Sequence, residues 1–208
     1  MNTLFSPPEM PLVAILRGLA PEEAPDVGRI LFDAGFRMLE VPLNRPGAAD
    51  AIKALLKIAP DDAVIGGGTM LTKADVDEVK EAGGRLMVSP NCDPDVIAYA
   101  VSRNMIVLPG VATPSEAFRA LQAGAHGLKL FPAEMLPPGA VKAMASVLPP
   151  GTPLMPVGGI RPDNMAPYVE AGATGFGIGG QLYKPGVDHA ALKASADAFI
   201  ASRAALLR

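Results

Sequence analysis

The 208-residue chain has a single cysteine, Cys92, so it can form neither an intramolecular disulfide nor a cysteine metal cluster. Its two histidines, His126 and His189, have no ligand-spaced partners. Metal chemistry therefore has little support, and both read as ordinary core or surface residues. Basic residues are not in excess. Eighteen lysines and arginines stand against 21 acids, a formal net charge of -3, which argues against nucleic acid or an anionic membrane as the main partner. An anionic substrate must then be held by a few placed groups and not by a general positive field. Residues 1–10 show no basic segment followed by an apolar core, so no signal peptide is read. No apolar run approaches membrane-spanning length. These absences leave a cytoplasmic protein, with no nucleic-acid or membrane partner, as the expectation.

Half of the residues are apolar, enough for a large interior, and one domain spanning residues 1–208 is the expectation at this length. Short aliphatic runs at 12–16, 38–41, 63–65, 86–89, 105–108, 127–131, 154–157 and 175–178 alternate with stretches of helix-forming composition. Gly35, Gly83, Gly124 and Gly172 each follow an alanine just before a run, where a left-handed residue ends a helix. Thr113-Pro114-Ser115-Glu116 reads as a capping box with proline at the first helical position, and Asp93-Pro94 repeats the cap-then-proline pattern. Eight strand–helix pairs in about 200 residues imply a compact single-domain (β/α)8 TIM barrel. The competing doubly wound sheet lacks its glycine signature, since Leu16-Arg17-Gly18-Leu19 follows the first run.

Two charged residues interrupt apolar runs. Lys129 lies between Leu128 and Leu130, and alternation puts it on the face shared with Gly127 and Phe131. A buried amine has a lowered pKa, which leaves free amine to attack a carbonyl and form a Schiff base. The plainer alternative is a lysine whose ammonium escapes to water at the strand end. Glu40 lies between Leu39 and Val41 and shares its face with Met38. Beside Lys129 it would shuttle protons, or else serve as a structural salt bridge to Lys129 or Arg17. Arg17 ends the first run and Thr69 follows the third through Gly66-Gly67-Gly68. Gly158-Gly159 and Gly179-Gly180 close the last two runs, where barrels commonly hold phosphate with backbone N–H groups.

Over nearly its whole length the chain resembles the 2-keto-3-deoxy-6-phosphosugar acid aldolases, a class I family that includes the phosphogluconate and phosphogalactonate enzymes. The residues carrying the resemblance are Ala14-Ile15-Leu16-Arg17-Gly18, Glu40-Val41-Pro42-Leu43-Asn44, Gly66-Gly67-Gly68-Thr69, Ser89-Pro90-Asn91, Pro109-Gly110-Val111-Ala112-Thr113 and Leu128-Lys129-Leu130-Phe131-Pro132. The resemblance implies a (β/α)8 homotrimer with no cofactor, Lys129 as the Schiff-base lysine and Glu40 as proton donor and acceptor. It implies that Arg17, Thr69, Gly159, Gly179 and Gly180 contact the substrate. Pro42, Asn44 and Val157 look like the phosphogalactonate type. That points to a lyase forming pyruvate and glyceraldehyde 3-phosphate from the phosphorylated keto-deoxy sugar acid, with Val157 facing the aldehyde half. The gluconate epimer, 4-hydroxy-2-oxoglutarate and a non-catalytic phosphosugar-binding barrel are the alternatives. Asn44 replaces an arginine of the gluconate type, which leaves Arg17, or less favourably Arg45, for the carboxylate. Gly180 replaces a serine common in the family.

Overall fold

The computed structural model describes residues 10–207. Its strands are β1 (Leu12–Ile15), β2 (Met38–Pro42), β3 (Val64–Gly68), β4 (Leu86–Val88), β5 (Ile106–Leu108), β6 (Gly110–Val111), β7 (Leu128–Leu130), β8 (Leu154–Pro156) and β9 (Phe176–Ile178). Between and after them lie α1 (Ala24–Ala34), α2 (Ala48–Leu56), α3 (Lys73–Glu81), α4 (Pro94–Ser102), α5 (Pro114–Gln122), α6 (Pro138–Ala145), α7 (Met165–Glu170) and α8 (His189–Leu206). The strands pair in parallel, in the orders β5-β4-β3-β2-β1-β9 and β6-β7-β8. This is an α/β fold with a curled parallel sheet. The first ten residues of the signal-peptide reading lie outside the described region except for Met10.

All eight expected runs form strands, but the fifth is longer than expected and divides at Pro109. Proline has no N–H to give to a ladder, so β5 and β6 fall in different ladders. The Pro109 carbonyl still accepts from the Lys129 N–H at 3.0 Å. On the other side, Val157 makes a parallel bridge to Gly177.

Two separate apolar clusters follow from strand alternation. Leu39, Val41, Ile65, Leu128, Leu130 and Phe176 belong to the large cluster under the helices. Val13, Met38, Val64, Leu86, Val88, Leu108 and Met155 form a second one on the concave side of the sheet. The alternation in 38–41 therefore separates the two faces as expected, with Met38 and Glu40 on the concave side. Because the strands are parallel, their carboxyl ends share one rim, and every residue just past a strand end is delivered there.

Local signals set the helix ends. Gly35, Gly83, Gly124 and Gly172 have positive φ, and Asn104, at φ 56, does the same before β5. Asp93 accepts from the Asp95 and Val96 N–H groups. Thr113 and Glu116 form a complete capping box, with Glu116 also accepting from the Ala112 N–H at 2.9 Å. Removing the Thr113 hydroxyl leaves the first-turn Glu116 N–H without its side-chain acceptor. Thr113→Ala should therefore lower unfolding free energy by about 1 kcal/mol, read as a lower urea midpoint at unchanged slope.

Candidate active site

Glu40 and Lys129 come from opposite parts of the curled sheet to the same rim. Glu40 pairs in register with Ile15 on β1 and Gly66 on β3, and Lys129 with Gly110 on β6 and Met155 on β8. Both side chains are buried, Glu40 at 1% and Lys129 at 8% relative exposure, which removes the snorkelling alternative for the lysine. Nor is there a structural salt bridge: among the described residues no ion pair involves Glu40. The Glu40 Oε2 atom is buried without a hydrogen-bond partner among the described residues. An orphaned carboxylate oxygen is costly unless it is neutral or has a ligand to meet.

Burial pushes the Glu40 carboxyl above its ordinary range, and the charges of Lys129 and Arg17 oppose this without reversing it. Burial likewise pulls the Lys129 amine below the ordinary lysine value; Glu40 opposes the shift and Arg17 adds to it. Both shifts run toward the uncharged forms. The Lys129 Nζ also lies 5.0 Å from the centroid of the Phe131 ring, two residues on along the same face.

The space for this acid comes from a glycine on the next strand. A Cβ at Gly68 would overlap Glu40 Oε2, so no larger residue fits there with Glu40 in place. Thr69 follows with φ 54, a left-handed conformation that is rare for a β-branched residue and costs roughly 1–3 kcal/mol. Hydrogen bonds on either side hold it, from Leu43 N–H to the Gly68 carbonyl (2.9 Å) and from Met70 N–H to the Val88 carbonyl (3.2 Å).

Arg17, Glu40, Thr69, Lys129, Val157, Gly159, Gly179 and Gly180 all line one cleft of about 290 Å³. These eight residues thus meet at one rim, whereas Pro42 and Asn44 do not line the cleft. Arg45 does not line this cleft, which leaves Arg17 as the arginine available there. Gly158 and Gly159 have φ 118 and 61, and the Glu134 carboxylate packs against this turn where side chains would otherwise project. Gly179 and Gly180 need no unusual φ, and an added Cβ would meet nothing nearer than 3.7 Å, so their contribution is room. Val157 fills the space above Gly177, where a Cβ would meet Val157 Cγ2 at 2.6 Å.

Sequence reasoning missed the continuation of the last loop. Gln181, Tyr183, Lys184 and Pro185 also line the cleft. The Tyr183 hydroxyl is buried without a hydrogen-bond partner among the described residues, and burial with the charge of nearby Glu23 pushes it up to about 12. The rule that loops after strands carry the site extends past Gly180, but no charge pattern in the loop marks it. The single cysteine stands apart: Cys92 is half-buried, with its thiol 3.4 Å from the Glu116 carbonyl.

A family model described as KDPG and KHG aldolase matches residues 7–195. The chain belongs to that family. A relative from Rhizobium meliloti (strain 1021), named probable 2-dehydro-3-deoxy-6-phosphogalactonate aldolase, is 46% identical over 97% of this chain and 96% of its own. A second, from Escherichia coli (strain K12) and named 2-dehydro-3-deoxy-6-phosphogalactonate aldolase, is 44% identical over 90% and 93%. Among solved structures, one described as native KDPGal superposes with a TM-score of 0.92 at 41% identity, covering 95% of this chain and 96% of that one.

The electrostatics of the pair make a prediction that needs no substrate. In competitive acylation across pH, Lys129 should become reactive at lower pH than surface lysines, with a half-point below the ordinary value of about 10.4. Since the Glu40 charge raises the lysine value, Glu40→Gln should move that half-point lower still. An unchanged half-point would show that the carboxylate does not act on the amine.

Proposed function

We propose that the protein is a class I aldolase that splits 2-dehydro-3-deoxy-6-phosphogalactonate into pyruvate and glyceraldehyde 3-phosphate. The observation carrying this reading is the buried, unpaired acid–amine couple of Glu40 and Lys129 at one open rim. The free amine of Lys129 attacks the C2 ketone, and the resulting carbinolamine loses water to give an iminium, with Glu40 supplying the proton that leaves with the oxygen. The Glu40 carboxylate formed in that step then takes the C4 hydroxyl proton, and the C3–C4 bond breaks. Its electrons enter the iminium, leaving an enamine on Lys129 and releasing the aldehyde. Glu40 protonates the enamine at C3, and water hydrolyses the iminium to pyruvate and the free amine. No redox step occurs and no cofactor is required.

The remaining roles follow the same reading. Arg17, whose charge acts on both members of the pair, takes the substrate carboxylate. Gly159, Gly179 and Gly180 form the phosphate end, and Thr69 contacts the substrate from the same rim. The galactonate epimer is favoured by Pro42, Asn44 and Val157, and by the names of the two relatives at 46% and 44% identity. We also infer that the chain is one domain and that its two ladders close into a (β/α)8 barrel. The Val157–Gly177 bridge and the single-residue gap at Pro109 support closure. A homotrimer belongs to this reading, with exposed Met135, Val147 and Phe118 among the apolar side chains an interface would cover. So does a cytoplasmic setting, because a phosphorylated sugar acid does not cross a bilayer unaided.

Borohydride added with pyruvate tests the reading directly. It should inactivate the protein irreversibly and leave the mass of reduced pyruvate on Lys129. Adduct on another lysine removes Lys129 from its role, and no adduct returns the protein to a non-catalytic sugar-phosphate barrel.

Epimer choice is tested at Val157, which is buried at the cleft wall beside Gly158. The epimers differ in one hydroxyl at C4, and threonine adds a donor to a side chain of the same shape. One neutral hydrogen bond is worth about 0.5–1.5 kcal/mol, so Val157→Thr should shift relative kcat/KM roughly two- to tenfold toward the gluconate epimer. An unchanged ratio with a lower thermal midpoint would mean that Val157 only packs over Gly177.

A further inference from the structure

The cleft contains a cation that the steps above do not use. Lys184 lies on the loop after β9, and its stem covers Gly180: a Cβ built on that glycine would meet Lys184 Cε at 3.7 Å, an ordinary contact distance. The lysine thus occupies the approach to the position where this chain has no side chain of its own. Among the described residues Lys184 forms no ion pair, so its charge is not committed to a protein carboxylate.

The substrate class has two anionic ends, and the cleft cations divide between them. Arg17 acts on Lys129 and Glu40, which places it at the end where the carbonyl reacts. Lys184 lies instead over the glycine-lined end. There the N–H groups of Gly159, Ile160, Gly180 and Gln181 donate to no backbone carbonyl among the described residues. Free amides suit a phosphate, yet they are neutral dipoles, and the Glu134 carboxylate packed on the Gly158–Gly159 turn adds a negative charge beside them. In a chain of net charge -3, a dianion at this end needs a placed cation. Lysine is a mobile point charge on a long stem, suited to a phosphate that arrives and leaves each cycle.

We propose that Lys184 is a phosphate-binding residue that sets the preference for phosphorylated over unphosphorylated aldehydes. The proposal rests on the aldolase reading. It adds a charged side chain to a subsite otherwise made of backbone, and it assigns a role to the loop beyond Gly180.

The test runs the reaction in the direction of synthesis, with pyruvate and either glyceraldehyde 3-phosphate or glyceraldehyde. Lys184→Met should raise KM for the phosphorylated aldehyde about five- to thirtyfold, change kcat little, and change KM for glyceraldehyde less than twofold. Lys184→Arg, which keeps the charge, should recover most of the loss, and added salt should narrow the gap between wild type and the methionine variant. An equal rise for both aldehydes would make Lys184 a structural residue of the loop, and no rise for either would remove it from the subsite. Borohydride trapping of pyruvate on wild type separates the two claims. An adduct at Lys129 with an unchanged KM in the methionine variant overturns the Lys184 assignment alone, whereas no adduct overturns the aldolase reading with it.

Discussion

The removal of one carboxyl group and one amine from water governs the architecture of this protein. Among the described residues neither Glu40 nor Lys129 joins an ion pair, and burial shifts each toward its uncharged form. That arrangement needs a rigid apolar surround, since any collapse of the rim would admit water and restore ordinary charges. The inner cluster of Val13, Met38, Val64, Leu86, Val88, Leu108 and Met155 provides it, directly beneath the pair on the concave side of the sheet. Gly68 provides the other half of the constraint by leaving a volume that only the Glu40 carboxylate fills.

Much of this was legible in the sequence because the informative residues break a pattern. A lysine between two leucines and a glutamate between leucine and valine contradict the period-two rule for apolar strands, and both proved to be buried on the concave side. Helix ends were equally legible, since Thr113, Asp93 and the glycines act through bonds spanning only a few residues. The break at Pro109 was not. Proline is compatible with a turn or a strand edge, and its effect depends on which ladder its neighbours join. The packing of Glu134 on Gly158 and the approach of Lys184 to Gly180 bring together side chains whose contact depends on loop geometry, which carries no periodic signal. Arg45 shows the reverse failure: it is near Asn44 in sequence but outside the cleft.

The glycines near the rim illustrate why composition alone misleads. Gly158 and Gly159 are required by backbone conformation and by the carboxylate packed on them. Gly68 is required by volume, with no unusual φ. Gly179 and Gly180 are required by neither, and what they leave is access. Three physical reasons thus lie behind one residue type, and only the last concerns a ligand directly.

Thr69 shows how such a site limits the ways its own sequence can be stabilised. A β-branched residue held at φ 54 stores free energy that glycine or asparagine would release. Random drift under selection for heat tolerance alone would therefore tend to replace it. Because Thr69 lines the cleft, relieving that strain by substitution would also change the surface the cleft presents.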